Sequence, residues 1–131
     1  MSPVARSWLY VPGHRPERVA KALASDADAV VVDLEDAVPP DAKDAAREAV
    51  RQIADGRAAR GLWVRVNDPA GPWGEADLEA VQGLPLDGVR LPRCQDPQLV
   101  RDVAERLAMP LQLLIETAAG LSRAVELAAA H

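Results

Sequence analysis

Hydrophobic residues gather in five short runs: Trp8 to Val11, Ala29 to Leu34, Leu62 to Val66, Gly88 to Leu91 and Leu111 to Ile115. Each run is close to continuous rather than alternating, the pattern of a parallel strand covered on both faces. Ala-Val-Val-Val-Asp-Leu (29–34) is the clearest of them. Between the runs the period changes to that of amphipathic helices. Pro16 and Glu17 open a first helix that ends by Ser25-Asp26. Pro39-Pro40-Asp41 starts a second, in which Ala46, Ala49, Val50 and Ile53 recur at i, i+3, i+4 and i+7. Glu75 to Val81 reads as a shorter helix, and Asp96-Pro97 as the N-cap and first turn of a fourth. A fifth is expected from near Gly120-Leu121 to His131.

Strand starts recur about every 26 residues, as short βα connections require. A flavodoxin-like doubly wound sheet would be complete in a chain of this length, whereas a TIM barrel needs eight units. The 131 residues are 49% hydrophobic and 27% charged, which fits one globular domain spanning residues 1–131. With no Phe and one Tyr, the core must be built from Ala, Val, Leu and Ile. A net charge of −5 argues against a nucleic-acid or acidic-membrane partner. A single cysteine excludes an internal disulfide framework and suits a reducing compartment, and no apolar run is long enough to span a membrane. A cytoplasmic location is the expectation.

Polar residues cluster where the strands end, which is where α/β proteins bind ligands. Pro12-Gly13-His14-Arg15 follows the first strand; Glu35 and Asp36 follow the second, with Asp33 inside it. Arg65 and Asn67 end the third, Arg93 follows the fourth, and Glu116-Thr117 the fifth. Arg65 stands between two valines in a buried strand, so it needs an anionic partner. That partner is either a structural carboxylate (Glu35, Asp36 or Glu116) or the carboxylate of a substrate. Glu116 is a metal ligand or a pairing group. Asp33, Glu35 and Asp36 form a solvated acidic loop or the outer shell of a cation such as Mg²⁺. Arg15, Arg18 and Lys21 recur at helical spacing, either as a solvated face or as a phosphate site. His14 is a loop histidine without a catalytic partner, and Cys94 reads as a packing residue.

These stretches resemble a known family. Residues 6–16 (Arg-Ser-Trp-Leu-Tyr-Val-Pro-Gly-His-Arg-Pro) and 27–38 are similar to the opening motifs of the citrate lyase β-subunit-like and malyl-CoA lyase family, within the HpcH/HpaI aldolases. Val64-Arg-Val-Asn67, Leu86-Asp-Gly-Val-Arg-Leu-Pro92 and Leu114-Ile-Glu-Thr-Ala-Ala-Gly120 match the next three motifs in order. Arg93 and Gln95 stand where the family more often has Lys and Glu.

The resemblance implies a TIM (β/α)₈ barrel truncated to its first five β-α units. It implies Mg²⁺-dependent carbon–carbon cleavage of a 3-hydroxyacyl-CoA, such as citryl-, malyl- or citramalyl-CoA, to acetyl-CoA and a 2-oxo acid. Arg65 would bind the oxo-acid carboxylate, and Glu116 would be a catalytic Mg²⁺ ligand in contact with substrate. Arg15 and Lys21 would hold coenzyme A phosphates, and Glu35 and Asp36 would line the metal site. The family's second metal-binding Asp follows a sixth strand, so these 131 residues alone are expected to be inactive, and the full-length protein to be a trimer or hexamer. The alternatives are a non-catalytic CoA-ester-binding or assembly element, or a flavodoxin-like receiver module. The receiver lacks support, because Pro12-Gly13, Asn67 and Glu116 stand where its acidic pair, phosphoacceptor and lysine would be.

Overall fold

A computed structural model describes residues 4–55 and 61–130. Five parallel strands lie in the sequential order β1-β2-β3-β4-β5: β1 (Trp8–Pro12), β2 (Ala29–Asp33), β3 (Leu62–Arg65), β4 (Gly88–Leu91) and β5 (Leu111–Leu113). This is the order of a barrel wall. A doubly wound sheet would reverse direction at a switch point, so the length argument for that fold fails and the truncated-barrel expectation holds.

Helices join successive strands: α1 (Pro16–Leu23), α2 (Lys43–Ala54, entered through a 3₁₀ turn at Pro40–Ala42), α3 (Gly74–Val81) and α4 (Pro97–Leu107). Val30, Val32, Val64, Val66, Val89 and Leu91 face them and join Val19, Val50, Val81, Val100 and Leu107 in one apolar core. Two-residue alternation therefore turns Trp8, Tyr10, Val31, Asp33, Trp63, Arg65, Arg90 and Gln112 to the opposite, inner face. That face is concave. Arg90 on β4 donates to the Tyr10 hydroxyl on β1 at 2.6 Å, although two strands intervene and neighbouring strands stand ~4.8 Å apart.

Two expectations need correction. Continuous apolar runs suggested strands buried on both faces, and β2 is wholly buried. In β1, however, Leu9 and Tyr10 are each 40% exposed, and β5 is only half-buried. Both are edge strands among the described residues. The fifth helix is not continuous. It is two short pieces, α5 (Ala118–Ser122) and α6 (Ala124–Ala128), broken at Arg123, and it starts earlier than expected because Thr117 caps it through the Gly120 N–H at 2.9 Å. Its expected end, His131, lies outside the described residues.

Candidate functional site

The C-terminal ends of the strands carry two linked polar clusters. Arg65, at the end of β3, lies beside Asp33, its register partner at the end of β2. Its Nε donates to Asp33 Oδ1 at 2.8 Å and its Nη2 to Oδ2 at 2.7 Å, a bidentate fork. Nη1 lies 3.1 Å from Glu35 Oε2. The guanidinium is thereby held even more firmly protonated than usual, chiefly by its hydrogen bonds to Asp33. Asp33 was not among the partners anticipated for Arg65; parallel register, which the sequence does not spell out, puts it there.

Asp33 also shapes the turn that follows it. Its carboxylate accepts the backbone N–H groups of Glu35 at 3.0 Å and Ala37 at 3.1 Å. This segment is therefore not a freely solvated acidic loop, since Asp33 is 1% exposed. Of its three carboxylates Asp36 is exposed and Glu35 half-buried. Glu35 Oε2 is buried and receives no hydrogen bond; its closeness to Arg65 is purely electrostatic. Burial pushes the Glu35 carboxyl above its ordinary range against the pull of Arg65, with Asp36, Glu116 and Asp33 adding repulsion.

Glu116 follows β5, and its Oε2 accepts the Arg93 N–H at 3.0 Å. Arg93 adopts a left-handed backbone (φ 52°), which turns the loop after β4 toward that carboxylate. Arg65, Glu35, Asp36 and Glu116 thus share one rim. Oxygen donors at the mouth of a parallel sheet, one of them a buried oxygen lacking a hydrogen-bond donor, fit a hard cation such as Mg²⁺. Among the described residues no group of three His, Cys, Asp or Glu could hold a metal alone. The fit is to an ion held by one or two carboxylates plus ligand oxygens, which is ordinary for Mg²⁺.

Behind the rim runs a buried network that sequence reasoning missed. Lys43 Nζ donates to the carbonyls of Leu34 (2.8 Å) and Glu35 (2.9 Å) and to Asn67 Oδ1 (2.8 Å). Asn67 donates through both its backbone N–H and its Nδ2 to Asp77 Oδ2, each at 2.7 Å. Arg47 Nε closes the chain on Asp77 Oδ1 at 2.7 Å. Lys43 and Asp77 sit on helices and look like ordinary surface charges, and no local signal marks them as buried. Burial lowers the Lys43 pKa. Lys43 and Asn67 line a cavity of about 480 Å³ with Glu35, Asp36, Trp73 and Arg93.

The phosphate-site residues lie elsewhere. Arg15 precedes α1 and pairs with Glu17 at 3.6 Å, while Lys21 and Arg18 border a cleft of about 330 Å³ along β1, with Leu9 and Tyr10. Neither Arg15 nor Lys21 lines the 480 Å³ cavity. Cys94 is buried, and desolvation pushes its thiol up to about 11, in keeping with a packing role.

Residues 6–131 match the HpcH/HpaI aldolase/citrate lyase family. The chain belongs to that family. It is 38% identical over 129 residues to a (3S)-malyl-CoA thioesterase of Cereibacter sphaeroides, covering 95% of this chain and 45% of that protein. The citrate lyase beta subunit of Mycobacterium tuberculosis complexed with oxaloacetate and magnesium superposes with a TM-score of 0.82 at 40% identity, over 94% of this chain and 52% of that one. Protein CitE of the same organism, in complex with magnesium, acetoacetate and coenzyme A, gives 0.83 at 38% identity, over 98% and 46%. The chain thus spans about half the length of these family members. No helix among the described residues is long and apolar enough to cross a membrane.

Proposed function

We propose that this chain carries the oxo-acid rim of a Mg²⁺-dependent carbon–carbon lyase that cleaves a 3-hydroxyacyl-CoA to acetyl-CoA and a 2-oxo acid. The observation that carries the reading is the Arg65 guanidinium, locked by Asp33 at the same strand-end rim as Glu35, Asp36 and Glu116. Arg65 presents its Nη1 side to the substrate carboxylate, and Asp33 keeps the fork from rotating away. Glu116 would hold the ion through its carboxylate, and Glu35 and Asp36 would line the metal site from the second strand. Bound there, Mg²⁺ supplies Lewis-acid polarisation of the oxo-acid carbonyl. Arg15 and Lys21 take the phosphates of coenzyme A. Magnesium, acetoacetate and coenzyme A in the complex of the Mycobacterium tuberculosis relative support this assignment of ligand classes.

The test is lyase activity of the whole reading frame that contains this chain, with malyl-, citramalyl- and citryl-CoA plus Mg²⁺. Arg65→Lys should lower kcat/KM on the order of 10–100-fold, since a point-charge ammonium cannot replace a fork. Glu116→Ala should lower Mg²⁺ affinity and activity together. Wild-type kinetics in both variants would overturn the roles, and CoA-ester binding with no turnover of any substrate would favour a non-catalytic binding element.

A further inference from the structure

Lys43 opens α2 and is only 5% exposed, with the Trp73 ring standing over its ammonium at 4.8 Å from Nζ to the ring centre. Its three N–H donors meet three oxygens, the Leu34 and Glu35 carbonyls and Asn67 Oδ1. The ammonium is thus fully used and keeps no donor for a ligand in the cavity it borders. All three partners are neutral groups, and taking an ammonium out of water is costly. An apolar side chain would pack α2 against the sheet at less cost. The buried charge is explained instead by what it holds.

Two of those oxygens flank one residue of the rim. The Leu34 carbonyl belongs to the peptide group before the Glu35 Cα, and the Glu35 carbonyl to the one after it. Peptide groups are planar, so one ammonium bonded to both fixes the two planes between which the Glu35 side chain leaves the backbone. Asp33 holds the first plane from its other end, through the Glu35 N–H at 3.0 Å. Asn67, two residues beyond Arg65, ties the turn to the end of β3, because its Nδ2 donates to the Leu34 carbonyl at 2.7 Å. Glu35 depends on this support. Its Oε2 is buried without a hydrogen bond, yet lies 3.1 Å from Arg65 Nη1. A carboxylate oxygen with no anchoring bond of its own is aimed by the backbone that carries it.

We propose that Lys43 is a positioning residue of the rim, which bridges the two peptide groups around Glu35 and so keeps the Glu35 carboxylate aimed at Arg65. The inference rests on the lyase reading for its kinetic consequence, and deepens it by naming a residue that acts without touching substrate. Asp77 steadies the third acceptor, since its Oδ2 receives both the backbone N–H and the Nδ2 of Asn67.

Two readouts on the whole reading frame that contains this chain test it. Hydrogen exchange reads the turn itself: in Lys43→Met the amides of residues 34–38 should exchange about tenfold faster than in the wild type, while those of β3 keep their protection. Kinetics reads the aim: Lys43→Met should lower kcat/KM about tenfold. Glu35→Gln removes the carboxylate but keeps the carbonyl that Lys43 bonds. In that background the same lysine change should lower kcat/KM by less than about twofold, the non-additivity of two residues acting through one contact. A lysine that only stabilised the fold would lower the melting temperature and leave kcat/KM of the folded enzyme unchanged. If Lys43→Met does not fold, Lys43→Gln, which keeps an amide donor, carries both measurements. Unchanged exchange at residues 34–38, an undiminished kcat/KM, or an equal fall in both backgrounds overturns the proposal. A wild type that turns over no CoA ester overturns the lyase reading instead, and exchange alone then decides the role of Lys43.

Discussion

Single residues in this protein differ most in how their charge is satisfied. Asp77 is fully buried and accepts from Arg47 and from Asn67 twice over. Asp77→Ala would strand a buried guanidinium and an amide, so urea unfolding should show a loss of ~3–5 kcal/mol. Glu35 behaves in the opposite sense. Its folded pKa is raised above the ordinary 4.5, chiefly by burial. The folded protein therefore keeps this proton after the unfolded chain has lost it, and stability falls as pH rises from the ordinary value through the raised one. Glu35→Gln removes that dependence, so its melting temperature relative to wild type should climb between pH 4 and 7; a constant difference would show that Glu35 titrates normally. Cys94 is protected by the same desolvation. A disulfide reagent at neutral pH should label it only after denaturation.

At the scale of elements, local rules and neighbour packing make separable contributions. Asp96 accepts the Gln98 N–H at 2.9 Å and caps α4, whose first residue is Pro97. Asp96→Ala should cost ~1 kcal/mol without altering the sheet, a change that thermal melts and far-ultraviolet dichroism would detect. Gly88 opens β4 under the Trp63 ring and beside the Pro110 carbonyl. Gly88→Ala should therefore cost ~1–3 kcal/mol through overpacking, and near-ultraviolet dichroism should report a displaced tryptophan. The cap was legible because a cap is a short-range device. The glycine was not, since its constraint comes from the side chain of another strand. The broken fifth helix has a similar lesson: Thr117 follows the strand motif directly, yet the apolar pattern alone placed the start later.

Among the described residues, five strands in sequential order place β1 and β5 at the two edges of the sheet. Leu9 beside the first edge, Ile115 beyond the second, and Leu121 and Val125 on the last helices are exposed. Sheet edges with apolar flanks recruit further chains. The 131-residue chain in isolation should accordingly associate in a concentration-dependent way; light scattering that returns a monomer mass across the micromolar range would contradict this. The same edge position leaves Tyr10 40% exposed on the inner face.

By itself the sequence determined the five strands, most helix starts and the polar strand-end rim. Those features depend on short continuous apolar runs, on the 3.6-residue period and on caps, all of which act over a few neighbours. It also placed Arg65, Glu35 and Glu116 at strand ends, because position along a parallel strand specifies the rim. Tertiary structure alone decided which charges meet. Asp33 reaches Arg65 across 32 positions, Lys43 reaches Asn67 across 24, and Arg90 reaches Tyr10 across 80. Register and curvature of the sheet set those encounters, and neither leaves a local trace in the chain. The result is one arginine neutralised by carboxylates and another held only by neutral groups, a difference in electrostatics that two similar strand arginines cannot show until the sheet is formed.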